Sequence, residues 1–127
     1  MKILPLVWLV DDDESVRESL PDLLNELGYQ VQAFSSGEDF LASGYEERAG
    51  CLVLDVAMPG MSGPDVQQEL ARRRHDIPII FITAHGDATT RPRMIASGAI
   101  DCLLKPFTET ALVLALEAAC GETKEDL

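Results

Sequence analysis

Four short apolar runs constrain this chain more than anything else in it: residues 6–10, 51–54, 79–82 and 100–104 carry almost no polar alternation. A strand with one solvated face alternates polar and apolar residues. A strand buried on both faces reads instead as a continuous apolar run, the pattern of a parallel sheet covered by helices. Each run also delivers a reactive side chain. Asp11-Asp12-Asp13 follow the first, Asp55 closes the second, Thr83 the third and Lys105-Pro106 the fourth. Parallel strands bring their ends to one edge of the sheet, and open α/β sheets bind ligands outside that edge. Alone, Asp55 ahead of Met58-Pro59-Gly60 reads equally well as the start of a turn. The matching strand ends are what make it a candidate for chemistry.

The stretches between these runs supply the helices. Val16, Leu20, Leu23, Leu24 and Leu27 recur at helical spacing behind a capping Asp13 or Ser15; Gly28 ends that helix, and Pro21 is expected to kink it. Residues 29–34 alternate, as a strand near a sheet edge does. Ser36-Gly37-Glu38-Asp39 resembles a capping box opening a short helix through Phe40-Leu41, and residues 44–50 form a polar connection. Ser62-Gly63-Pro64-Asp65 opens the third helix, which carries Val66 and Leu70 inward. It ends in Arg72-Arg73-Arg74-His75, read as a solvated helix end where cations complement the dipole. Pro92 suits only a first turn, so the fourth helix starts late and runs over 90–97. Thr108 caps the fifth, with Leu112, Leu114, Ala115, Leu116 and Ala119. Strands alternating with helices in this way make a doubly wound α/β domain with right-handed crossovers.

Size and charge narrow the function. A chain of 127 residues is one domain, able to bury roughly two thirds of its unfolded surface. A net charge of −12 argues against gripping a phosphate backbone, so no direct nucleic-acid binding is expected and any DNA-directed output belongs to a partner or a further domain. No apolar run approaches a membrane span and the N-terminal stretch is too short for a signal peptide, which leads to an expectation of a cytoplasmic protein without membrane contact. Cys51, Cys102 and Cys120 are an odd number without metal-ligand spacing, and are expected as reduced, buried thiols.

The acidic pair after the first strand, the Asp of L-D-V-A-M-P-G-M-S-G, the segment I-T-A-H-G-D and the segment L-L-K-P-F fall at intervals that resemble a response-regulator receiver domain, over about residues 7–120. The wording of the last two is most similar to the FixJ-like branch. The resemblance implies a flavodoxin-like (CheY-like) fold with strand order 2-1-3-4-5, a receiver domain over residues 1–121, and a polar tail or the start of a linker at 122–127. It implies a two-component phosphoacceptor switch rather than a turnover enzyme, self-phosphorylating with Mg²⁺ and slowly losing the phosphoryl group. Its partners would be a sensor histidine kinase and an output protein or a C-terminal effector domain, with a homodimer possible on phosphorylation.

Residue by residue, the resemblance makes Asp55 the phosphoacceptor. It makes Asp12 a direct metal ligand, Asp11 one acting mainly through water, and the backbone carbonyl of Ala57 the third protein ligand. Lys105 and Thr83 would contact the phosphoryl oxygens, and Lys105-Pro106 would be cis. The physical reasons stand beside it. A carboxylate can hold a phosphoryl group as an acyl phosphate, a divalent cation offsets the repulsion between carboxylate and dianion, and Lys serves as a compact point charge. Asp13 is then spare, most simply the N-cap, and small Ala84 leaves room for the phosphoryl group. His85 and His75 do not make a metal site. Two positions depart from the family pattern: Cys102 stands where an aromatic residue is common, and the fourth helix carries Arg91-Pro92-Arg93. A rival of another class is a haloacid-dehalogenase-type phosphatase, whose opening motif Asp11-x-Asp13 mimics and which would make Asp11 the nucleophile.

Overall fold

The computed structural model describes residues 6–120. Strands β1 (Leu6–Val10), β2 (Gln30–Phe34), β3 (Gly50–Asp55), β4 (Ile79–Thr83) and β5 (Asp101–Leu104) form one sheet ordered β2-β1-β3-β4-β5. Every pairing is parallel, with Val10 opposite Leu54, Asp55 opposite Ile82 and Thr83 opposite Leu104. Helices α1 (Glu14–Glu26), α2 (Gly37–Leu41), α3 (Gly63–Arg72), α4 (Thr90–Ala96) and α5 (Glu109–Ala119) fill the crossovers. This is the doubly wound architecture expected from the apolar runs. The polar alternation of β2 is explained by its place at the sheet edge, where much of it stays exposed.

Two cores flank the sheet. Val7, Leu9, Val53, Ile80 and Ile82 pack against Leu20 and Leu24 of α1 and Leu112 and Leu116 of α5. On the other face Trp8, Leu52, Leu54 and Phe81 meet Phe40 of α2, Val66 and Leu70 of α3 and Met94 of α4. Strands β1, β3 and β4 are thus buried on both sides, which is why they lack alternation. The caps are those the sequence signalled. Asp13, Ser36, Ser62 and Thr108 each accept a backbone N–H at a helix start, with a reciprocal capping box between Ser62 and Asp65. Helix α1 runs unbroken through Pro21. Lys105-Pro106 is cis.

Three features differ from the sequence reading. The connection at 44–50 is not purely polar: Tyr45–Glu47 is a 3₁₀ turn that buries Tyr45, stacked on Phe40 with centroids 4.7 Å apart. The basic end of α3 is not simply solvated. Arg72 and Arg73 both pair with Glu69, and His75 Nδ1 lies 2.7 Å from the Tyr45 hydroxyl. Nor are all three cysteines thiols. Cys51 and Cys120 form a disulfide, their Cα atoms 5.5 Å apart, while Cys102 is free and buried. The reason is topological: α5 runs back across the sheet and sets its C-terminal residue beside the start of β3, a meeting across 69 residues that local spacing does not reveal. The polar tail and the first five residues lie outside the described residues.

Candidate functional site

The parallel register brings the four reactive strand ends to one edge. Asp11, Asp12, Asp13, Asp55, Ala57, Thr83, Ala84, His85 and Lys105 line a cavity of about 380 Å³. Asp11 leaves β1 fully buried. Its amide donates to the Phe34 carbonyl (3.1 Å), its Oδ1 accepts the Asp13 amide (2.9 Å), and its Oδ2 accepts Lys105 Nζ at 2.7 Å. Asp12 is exposed at the cavity mouth. Asp13, at the cavity rim, caps α1, accepting both the amide and the hydroxyl of Ser15; these bonds hold its carboxyl below the usual range. The spare role expected for it is the one it has.

Asp55 ends β3 with 6% of its surface exposed, and Lys105 Nζ lies 3.8 Å from its Oδ1. Burial, chiefly, and then the charge of Asp11 push its carboxyl up to about 7, against the opposing pull of Lys105. The loop after Asp55 folds tightly because Gly60 takes φ 73° and the Gly63 amide donates to the Val56 carbonyl (2.9 Å). Thr83 is buried at the end of β4 and its Oγ1 accepts the His85 amide (3.1 Å), leaving its hydroxyl hydrogen to be directed into the cavity. The Lys105 amide donates to the Thr83 carbonyl (2.8 Å), which ties the two strand ends together.

Carboxylate oxygens of Asp11, Asp12 and Asp55 lie within 4.8 Å of one another. Three anionic oxygens beside a cavity wall that includes Ala57 suit a hard divalent cation such as Mg²⁺, which takes oxygen ligands and keeps several waters. The donor set fits.

The geometry now meets its relatives. The sequence profile described as the response regulator receiver domain matches residues 7–117. The chain belongs to the response-regulator receiver family. Nodulation protein W of Bradyrhizobium diazoefficiens is 47% identical over 114 residues, covering 90% of this chain and 50% of that protein. Transcriptional regulatory protein FixJ of Rhizobium meliloti is 41% identical over 113 residues, covering 89% and 55%. Among solved structures, response regulator StyR superimposes with TM-score 0.84 at 47% identity, covering 93% of this chain and 60% of that one. FixJ-N does so with 0.82 at 40%, covering 91% and 92%. The receiver thus spans about half the length of the curated relatives it matches. The two-component family and the CheY-like fold expected from the motifs are both established.

Sequence reasoning overlooked three supporting groups. Arg17 Nη1 donates to the Asp11 carbonyl at 2.9 Å, bracing the acidic turn from α1. Gly63 packs so closely on the Asp55 carbonyl that a Cβ there would overlap it. Leu104 lies over Gly86 in the loop behind Thr83, against the space a Cβ would fill. An Arg on an amphipathic helix reads as surface and a Gly at a helix start reads as a turn, so only the fold gives these residues a role.

Proposed function

We propose that this receiver accepts a phosphoryl group on Asp55 from the phosphohistidine of a sensor kinase, in a Mg²⁺-dependent reaction, and thereby alters its affinity for an output partner or a C-terminal effector domain. The observation that carries this reading is the contrast between the two buried carboxylates. Both oxygens of Asp11 are held, one by the Asp13 amide and one by Lys105, whereas Asp55 faces the cavity with its nearest cation at 3.8 Å. The amide and the ammonium draw electron density from both Asp11 oxygens and make them the poorer nucleophiles, while each oxygen keeps a lone pair for a cation. Asp11 therefore serves as a ligand.

Asp11, Asp12 and Asp55, with the backbone carbonyl of Ala57, would hold Mg²⁺, which when bound supplies the positive charge that offsets repulsion between the carboxylates and an incoming phosphoryl dianion. An Asp55 oxygen attacks phosphorus, the phosphorus–nitrogen bond of the donor breaks, and an acyl phosphate remains on Asp55. Lys105 then shifts from Asp11 toward the phosphoryl oxygens, and the Thr83 hydroxyl donates to one of them. The chain acts once per phosphoryl group as a switch and is not a turnover enzyme. Placement in the cytoplasm, beside the donor kinase, follows from this reading, and among the described residues no helix is long and apolar enough to cross a membrane. Residues 1–121 act as the switch, with 122–127 a polar tail or the start of a linker.

Mass spectrometry after incubation with acetyl phosphate and Mg²⁺ should find one added phosphoryl group, absent in Asp55→Asn. Labelling that survives in Asp55→Asn and disappears in Asp11→Asn would instead mark Asp11 as the nucleophile of a dehalogenase-type phosphatase.

A further inference from the structure

Strand β3 carries chemistry at both of its ends. Asp55 stands at its C-terminal edge, and Cys51, four residues earlier and about 13 Å away along the strand, stands at the other. Cys51 is fully buried beneath the α1–α5 layer, while its partner Cys120 is half-buried at the C-terminal cap of α5. Their Cα separation of 5.5 Å is the commonest for a disulfide, so the fold holds the pair ready to bond without moving backbone.

We propose that Cys51 and Cys120 form a reversible redox clasp, closed by a peroxide-class oxidant and reopened by a dithiol reductant, that fixes or frees the last turn of α5 as an input separate from Asp55. Three features set it apart from a staple that the fold requires. First, α5 is anchored without it, because Leu112, Ala115 and Leu116 are buried in the core, with α5 packed against β4 and β5. Second, the pair joins a partly buried cysteine at the end of α5 to a fully buried one, so oxidant and reductant approach through Cys120, with Cys51 as the shielded resolving partner. Third, the remaining thiol, Cys102, lies in the core on the opposite face of the sheet, out of reach of either partner, and it does not compete.

The electrons balance in two steps. The Cys120 thiolate attacks hydrogen peroxide, a sulfur–oxygen bond forms, the oxygen–oxygen bond breaks, and the departing hydroxide takes a proton to leave as water. The Cys51 sulfur then attacks the Cys120 sulfur, the sulfur–oxygen bond breaks as the disulfide forms, and the sulfenic hydroxyl takes the Cys51 thiol proton and leaves as a second water. Two thiols have lost two electrons and peroxide has gained them. Reopening is the exchange of this disulfide with a thioredoxin-class dithiol, which ends oxidised. The last turn of α5 is closed by the Cys120 amide donating to the Leu116 carbonyl (2.7 Å), and this turn precedes the residues through which anything further along the chain is attached.

The test uses the wild-type chain in both states. After reduction with dithiothreitol and desalting, peroxide should lower the intact mass by two hydrogens, and peptide mapping should place the bond between Cys51 and Cys120. Hydrogen exchange at residues 116–120 should slow by about threefold or more on oxidation, and return on treatment with reduced thioredoxin. Cys120→Ser should exchange at the reduced rate under both conditions, while Cys102→Ser should respond like wild type. Three free thiols after peroxide, an intermolecular bond, unchanged exchange in α5, or a bond that thioredoxin cannot open would each overturn the proposal. Phosphorylation of the reduced chain by acetyl phosphate is read separately, so failure of the clasp and failure of Asp55 as acceptor remain distinguishable.

Discussion

The acceptor role proposed for Asp55 sets two demands in conflict, because a nucleophile must be ionised and a residue buried beside Asp11 resists ionisation. Burial and the neighbouring charge raise its carboxyl from 3.8 to about 7. The folded state therefore binds this proton more tightly than the unfolded chain does. Its contribution to stability is fully present below pH 3.8 and is lost as the pH rises to about 7. Asp55→Asn should consequently stabilise the metal-free protein on the order of 2 kcal/mol at pH 8 and have little effect near pH 4, as urea melts at the two values would measure. Equal effects at both values would show that the group is not perturbed as argued. The same conflict explains what the bracing residues do: Arg17 and Gly63 fix backbone around Asp11 and Asp55, so the acids stay together despite their repulsion.

At the level of elements, Thr83 is coupled to its surroundings without an aromatic intermediary. The family's common aromatic position holds Cys102, a small buried thiol that cannot swing between exposed and buried states. Instead Leu104, 47% exposed, lies over Gly86, and the loop from Thr83 leads into α4, whose seven residues carry Pro92. When Thr83 moves toward a phosphoryl group, the loop and α4 should follow while β5 stays paired to β4. Hydrogen exchange with and without beryllofluoride and Mg²⁺ should therefore change strongly over residues 83–98 and little over 101–104. The reverse pattern would sink this account. What was legible from sequence divides at this scale. The strands β1, β3 and β4 were readable because burial on both faces leaves a local pattern, and the caps were readable because Asp13, Ser36, Ser62 and Thr108 bond within three residues of themselves. Tyr45 was not, since one aromatic in a polar stretch has no period, and the Cys51–Cys120 bond was not, since only the return of α5 creates it.

The molecule as a whole carries a net charge of −12, and its densest buried share sits where Asp11 and Asp55 meet, with Lys105 as the adjacent compensating ammonium. Self-repulsion of this kind lowers the stability of the compact state, and any cation that screens it helps somewhat. A bound divalent ion should do more than screen, because it stabilises the folded state by mass action. At a concentration a hundred times its dissociation constant the gain is about 2.7 kcal/mol, enough to raise the melting temperature by several degrees. The decisive comparison is between Mg²⁺ and sodium chloride at equal ionic strength. Wild type should melt higher in Mg²⁺. Asp12→Ala should keep the sodium response and lose the extra magnesium increment, since the exposed Asp12 would supply a ligand oxygen and adds little to the core. If the increment survives in that variant, the magnesium effect belongs to the acidic surface at large and Asp12 is not a ligand. If it disappears together with acetyl phosphate labelling, the site that takes the metal and the site that takes the phosphoryl group are the same cavity.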